Sequence, residues 1–251
     1  MHTIDIALRE DIYQTYHPFI LSTLQRRAVV GATSITLDGA RAAFIFDHYS
    51  AKGRKVLDIG ANQGYMSIEA ALRGARQVDA FESNAVDSHF LSQAASTLFP
   101  LRCVSVHGQN YRFDLPPALP WDCVLCLNVL HHVGRYFDQH VETLADAKAN
   151  MAQHLQTLLS GGAQVWLQLG FNWQGDVRQP LFAHGSKREM THTVAELAGP
   201  KARIATIGIY NPNSRAYEAV AADDTEHALW QRMEGIGEFA NRPLYLIESV
   251  V

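Results

Sequence analysis

The stretch Lys55-Val-Leu-Asp-Ile-Gly-Ala-Asn-Gln-Gly-Tyr65, followed by Val78-Asp-Ala-Phe-Glu82, decides the fold of this 251-residue chain. Val56, Leu57 and Ile59 form a short apolar run that stops at Gly60. Gly64 then opens a segment with Met66, Ile68, Ala70, Ala71 and Leu72 at helical spacing, so the order is strand, glycine turn, helix. Val78 to Phe81 supplies the next parallel strand of a βαβ unit, ending on Glu82. Such a turn predicts free backbone N–H groups at a helix N-terminus, where a ligand can approach the main chain without meeting a Cβ.

The glycine spacing selects the ligand. A dinucleotide turn reads G-x-G-x-x-G, with a middle glycine against the pyrophosphate, whereas Gly60-Ala-Asn-Gln-Gly64 has none. Asp58, at the tip of the first strand, repels a pyrophosphate and favours a cationic ligand. Glu82 lies 22 residues beyond Gly60, close to the spacing at which an acid in such units hydrogen-bonds ribose hydroxyls. S-adenosylmethionine, with ribose hydroxyls, an ammonium, a sulfonium and no phosphate, suits the site.

At these residues the chain resembles the class I S-adenosylmethionine-dependent methyltransferases, over about residues 50 to 170. Asp58, Gly60 and Gly64 match the family's glycine-rich first motif, and Glu82 its ribose-binding acid. Trp121 to Val133, which contains Asn128 and His131-His132, looks like the fourth motif. The resemblance also implies an adenine contact within Gly108-Gln109-Asn110, where Gln109 replaces the Asp of many relatives. The cofactor-binding set on this reading is Asp58, Gly60, Asn62, Gly64, Glu82, Ser83, Gln109, Asn110 and Asn128, with S-adenosylhomocysteine as product. The implied fold is α/β: a doubly wound, mostly parallel seven-stranded sheet of the Rossmann-like methyltransferase type. Residues 1–50 are expected as an N-terminal helical extension that can roof the substrate pocket, and residues 51–251 as the methyltransferase domain.

Composition agrees. With 47% hydrophobic residues the chain can bury a sizeable core, and a formal net charge of −4 argues against broad attraction to nucleic acid or anionic membrane. No segment reaches the roughly 18 apolar residues of a membrane span, and the N-terminus lacks a signal-peptide stretch, so a cytoplasmic location is expected. Three cysteines make no disulfide framework. Cys123-Val-Leu-Cys126 has redox or metal spacing but lies in a strand, where residues three apart point to opposite faces. The twelve histidines match no compact zinc motif, and no metal is expected.

Strands are predicted at Lys55 to Asp58, Gln77 to Glu82, Leu101 to Val106, Asp122 to Asn128 and Ala163 to Leu169. One helix runs from a Ser83 or Asn84 cap to about Leu98. A long one begins at Asp138 and ends in a left-handed cap at Gly161-Gly162. Beyond residue 170, Thr191 to Ala198 and Thr225 to Ile236 read as helical. Arg203 to Tyr210 and Leu244 to Val250 read as the antiparallel edge of the sheet, and Ala216 to Ala222 is a further strand without an assigned place. Before the first core strand, Ile12, Tyr13, Tyr16, Phe19, Ile20 and Leu24 suit one helical face interrupted by Pro18.

Methyl transfer from a sulfonium is an in-line displacement, so aligning the nucleophile and excluding water are the main tasks. His131 and His132 follow the fourth strand at the ligand-binding edge of such sheets. Adjacent side chains diverge, which leaves one facing a pocket. The resemblance implies that the second histidine of such a pair lies near the pocket, so His132 is the candidate base, able near its ordinary pKa to accept a proton from a hydroxyl or amine, or else a structural residue. Gly170-Phe-Asn-Trp-Gln-Gly-Asp176 is a candidate acceptor loop, with Trp173 stacking and Asn172 orienting a polar group, or a loop pinned by a buried aromatic. Tyr13, Tyr16, His131, Asn172 and Trp173 are the candidate acceptor contacts. Arg178, Lys187 and Arg188 suit an acidic acceptor if they are not simply solvated. The sequence thus points to O- or N-methylation of a small molecule. The alternatives are a tRNA- or RNA-modifying methyltransferase, needing a patch from Arg26, Arg27, Lys52, Arg54 and Lys55, and a non-catalytic S-adenosylmethionine-binding protein.

Overall fold

A computed structural model describes residues 14–23, 36–114, 121–161 and 163–250. The chain divides into two compact units, residues 1–111 and 112–251. Tyr13, Arg26 and Arg27 lie outside the described residues.

The first unit contains α1 (Pro18–Thr23), α2 (Leu37–His48), β1 (Lys55–Ile59), α3 (Tyr65–Leu72), β2 (Gln77–Phe81), α4 (Ala85–Thr97) and β3 (Val104–His107). Its strands lie parallel in the order β3-β2-β1. Val56, Leu57 and Ile59 are buried because such a strand is covered on both faces. Ile59 pairs with Phe81, so β1 and β2 end side by side and bring the Gly60 turn against Glu82. Residues 99–101 form a 3₁₀ turn containing Pro100, which moves the start of β3 from the expected Leu101 to Val104.

The second unit contains β4 (Cys123–Leu127), α5 (Leu144–Ser160), β5 (Gln164–Gln168), α6 (Lys187–Ala198), β6 (Ala202–Asn211), β7 (Ala216–Ala219), α7 (Gly237–Ala240) and β8 (Leu244–Ser249). Its strand order is β4-β5-β8-β6-β7. β4 and β5 are parallel, and the remaining pairs are antiparallel. The α/β class is as expected, with five of the eight strands among the described residues paired in parallel, but the count corrects the expected seven. The extra strand is β7, which folds back on β6 through a turn where Arg215 takes φ 56° and Asn211 Oδ1 accepts the Asn213 N–H.

Two further expectations are corrected. α5 does not start at Asp138, whose φ of 48° is left-handed and whose carboxylate pairs with His154. Thr143 caps the helix instead, accepting the Asp146 N–H. α5 ends at Ser160 with Gly161 as its C-cap in right-handed backbone, φ −75°, and Gly162, the other residue of the expected cap, lies outside the described residues. The predicted helix over Thr225 to Ile236 is a 3₁₀ turn at Ala228–Trp230 within irregular chain. Side-chain bonds to its backbone replace helical ones: Lys187 Nζ donates to Leu229 O, Trp230 Nε1 to Asp224 O, and Asn241 brackets Met233. Among the described residues no helix is long and apolar enough to cross a membrane.

Candidate active site

In the first unit the turn between β1 and α3 is held by its surroundings. Gly60 N–H and Ala61 N–H both donate to Phe81 O, at 2.9 and 3.0 Å. Asn62 N–H donates to Glu82 Oε2 at 2.8 Å, Gly64 N–H to Ala61 O at 2.8 Å, and Tyr65 N–H to Gln14 Oε1 at 3.2 Å. Four of the turn's N–H groups, those of Gly60, Ala61, Asn62 and Gly64, are therefore taken, which leaves little to bind a phosphate. Gly64 sits at φ 82° as the α3 N-cap, and a Cβ there would lie 2.3 Å from Leu91 Cδ1. Glycine is required at this position for both conformation and space.

Acceptors, by contrast, are in surplus. Glu82 Oε1 accepts the Asn84 N–H at 2.7 Å, so both its oxygens are aligned by backbone while the side chain stays half-exposed. Asn62 Nδ2 and Gln63 Nε2 donate to Asp87, at 3.3 and 3.5 Å, which turns their carbonyl oxygens away. Asn62 Oδ1 and Gln63 Oε1 are buried without a donor. Asp58 is buried, accepts from Ser67 Oγ at 2.6 Å, and has its carboxyl pushed up to about 6. Burial is the main cause, the Glu82 charge adds to it, and the Ser67 bond opposes it. A cradle of this kind seeks a cation and hydroxyl donors.

Asn84, not Ser83, caps α4, accepting from Val86 and Asp87, and Ser83 is exposed. Gln109 and Asn110 lie exposed after β3. The sequence reading missed an aromatic cluster beside them. His107 stacks on Phe81 at 4.3 Å, Tyr111 meets Phe81 edge-on at 5.1 Å, and His107 Nε2 lies 2.9 Å from Asp79 Oδ1. Alternating strand positions carry Phe81 and Asp79, a signal that was present but unread. The N-terminal segment belongs to the same unit. Besides the Gln14 bond, Thr15 N–H donates to Asp38, His17 Nε2 meets Glu69 at 2.8 Å, and the Tyr16 ring packs on Phe90 at 5.1 Å.

In the second unit Asn128 follows β4 at φ 63°. Its N–H donates to Gln168 O at 2.7 Å, its Nδ2 to Gln168 Oε1 at 2.8 Å, and its Oδ1 accepts from Arg242 Nη1 at 2.8 Å. The side chain expected on the cofactor is thus committed within its own unit. Arg242 Nη2 also donates to Glu238 Oε1 at 2.7 Å, and Glu238 accepts from Phe171 N–H and Asn172 Nδ2. Gln168, Glu238 and Arg242 gave no sequence signal because they converge only where β8 pairs with β5.

The paired histidines diverge. His131 is 1% exposed, and its Nδ1 accepts the Gly170 N–H at 3.1 Å. Through that bond it secures the backbone after β5. Trp173 is held in the same way: it is 3% exposed and its Nε1 donates to Val133 O at 2.7 Å. It is the buried pin of its loop, with no open face for stacking. His132 is half-exposed and its Nδ1 is without a partner. Its pKa is lowered to about 4, chiefly by burial and then by the charges of Arg135 and Arg242, which corrects the expectation of a near-ordinary value. His132 is neutral at physiological pH, an acceptor and donor of hydrogen bonds more than a proton carrier.

A methyltransferase-domain family model matches residues 38–195 of this chain. A curated relative, the ubiquinone biosynthesis O-methyltransferase of Chromobacterium violaceum, is 33% identical over 95 residues, 37% of this chain and 39% of the relative. The match thus spans well under half the length of that protein. Among solved structures, a putative rRNA-methylase from Clostridium thermocellum aligns at TM-score 0.52 with 10% identity, over 87% of this chain and 98% of the other. Magnesium protoporphyrin IX methyltransferase from Synechocystis PCC 6803, solved with bound S-adenosylmethionine, aligns at 0.50 with 18% identity, over 84% and 78%. At these identities the likeness is one of fold. The chain belongs to the methyltransferase-domain family.

Proposed function

We propose that the first unit binds S-adenosylmethionine and that the chain transfers its methyl group to an oxygen or nitrogen of a small molecule. The observation that carries this is the polarity of the Gly60–Gly64 turn. The N–H groups of Gly60, Ala61, Asn62 and Gly64 are taken, while Asn62 Oδ1 and Gln63 Oε1 lack donors and the carboxylates of Asp58 and Glu82 lack a cation. The cofactor offers ribose hydroxyls to Glu82, and its ammonium and sulfonium relieve the acceptor surplus. Phe81, His107 and Tyr111, beside Gln109 and Asn110, supply aromatic surface for the adenine. Gln14, within the 1–50 extension expected as a possible roof over the acceptor, is proposed to brace the cofactor turn.

S-adenosylmethionine, when bound, supplies an activated methyl group. This chain's task is to align the acceptor and exclude water. His132 orients the acceptor as a neutral hydrogen-bonding group, and Asn172 is retained as a polar contact. The test is transfer of radiolabelled methyl from S-adenosylmethionine to a panel of hydroxyl- and amine-bearing metabolites, with tRNA as a separate arm. Labelling of small molecules supports the reading. Labelling confined to tRNA replaces it with RNA modification, and absence of any transfer with cofactor bound favours a non-catalytic binder.

Asp58 sets a pH dependence. A cationic ligand favours its ionised form, so binding below about pH 6 must expel a proton, and affinity for S-adenosylmethionine rises with pH up to that point and then levels. Titration calorimetry between pH 5 and pH 8 shows this bend, and Asp58→Asn flattens it. A wild-type affinity indifferent to pH would remove the charge of Asp58 from cofactor binding.

A further inference from the structure

Lys187 is a cation in a place where cations are costly. It is the first residue of α6 and fully buried, 0% exposed. Its Nζ donates to Leu229 O at 2.8 Å, and among the described residues no carboxylate lies within ion-pair distance. An ammonium has three donors, so this one is under-supplied. The charge of a second cation, Arg232, burdens it further. Arg232 is exposed, lies over the Phe171 ring at 4.3 Å and donates to Gly185 O at a long 3.4 Å, again with no carboxylate partner among the described residues. The nearby carboxylate, Glu238, is occupied by Arg242, the Phe171 N–H and Asn172. Arg178, by contrast, is neutralised by Asp176 at 2.7 Å.

We propose that Lys187 and Arg232 form an oxyanion subsite in the second unit, taking a carboxylate or phosphate group carried by the methyl acceptor. This deepens the small-molecule reading above and rests on it. The chemistry follows from the deficit: an oxyanion supplies lone pairs to the idle ammonium donors, and a guanidinium matches its geometry with two N–H groups. The Phe171 ring under Arg232 offers an apolar wall for the rest of the molecule. The bond of Arg232 to Gly185 O is long, a weak tie that leaves its guanidinium able to turn toward an anion. Burial, more than the Arg232 charge, lowers the Lys187 pKa to about 8, which leaves it mainly protonated at pH 7 and able to pair with an anion.

The full chain, loaded with S-adenosylhomocysteine, is titrated at pH 7 by calorimetry with inorganic phosphate, benzoate and the neutral isostere benzamide, at constant ionic strength set with sodium chloride. Saturable binding of phosphate or benzoate, with benzamide silent, is expected, and whichever anion binds identifies the source as phosphate or carboxylate. Lys187→Met and Arg232→Gln are each expected to weaken it at least tenfold. Arg232 is exposed, so its variant keeps the test open even if Lys187→Met fails to fold. No anion binding beyond the chloride control, equal binding of benzamide, or unchanged binding in Arg232→Gln overturns the subsite. Affinity for S-adenosylhomocysteine, measured on the same samples, reports separately on the methyltransferase reading.

Discussion

Glu82→Ala is expected to weaken S-adenosylhomocysteine binding by about 1–3 kcal/mol, roughly 5- to 150-fold, because an aligned acceptor for the ribose hydroxyls is lost. The alignment is visible without ligand: Oε2 is fixed by the Asn62 N–H at 2.8 Å and Oε1 by the Asn84 N–H at 2.7 Å. Removing the carboxylate therefore also frees the two backbone segments that frame the cradle. Glu82→Gln keeps one carbonyl acceptor and is expected to fall between wild type and alanine. Calorimetric titration of the three proteins checks the order. Equal affinities would take Glu82 out of the site.

Gly64→Ala is expected to damage the fold as well as the site. An L-residue at φ 82° costs about 1–2 kcal/mol. The added Cβ, 2.3 Å from Leu91 Cδ1, forces α4 or its side chain to move, at about 1–3 kcal/mol. Together these amount to roughly 2–5 kcal/mol, which for a chain of this size lowers the melting temperature by about 4–20 °C. Differential scanning calorimetry reads the loss directly. A companion Leu91→Ala change, which opens space but leaves the backbone strain, is expected to cost less in the Gly64→Ala chain than in the wild type, because relief of the clash offsets part of the lost burial of Leu91. A melting temperature equal to wild type would mean that the turn does not hold the conformation described for it.

These two residues lie in the part of the molecule that was legible from sequence, for a physical reason. Strand, glycine turn, helix and acid follow one another locally, and each local preference agrees with the tertiary outcome. Distant contacts were not legible. Thr225 to Ile236 has helical spacing, yet Lys187 and Asn241 claim its backbone through side-chain bonds and Trp230 ties its own ring to Asp224 O just before it, and tertiary partners prevailed over propensity. β7 was unplaced because its four residues acquire a position only by pairing with β6. On the acceptor side, nothing in His131-His132 announces which ring is buried; the Gly170 N–H decides it, from 39 residues away. Trp173 was ambiguous for the same reason until Val133 O supplied its partner. Lys187 looked like one more solvated loop cation, and burial without a counter-charge gave it its interest.

The central claim is that the Gly60–Gly64 turn with Glu82 holds an adenosine-bearing cation rather than a dinucleotide. Isothermal titration of the full chain with S-adenosylmethionine, S-adenosylhomocysteine and NAD tests it most directly. The account predicts one saturable site for each of the first two, lost or strongly weakened in Glu82→Ala, and no heat of binding for NAD. Binding of NAD, with neither S-adenosyl compound bound, would contradict it.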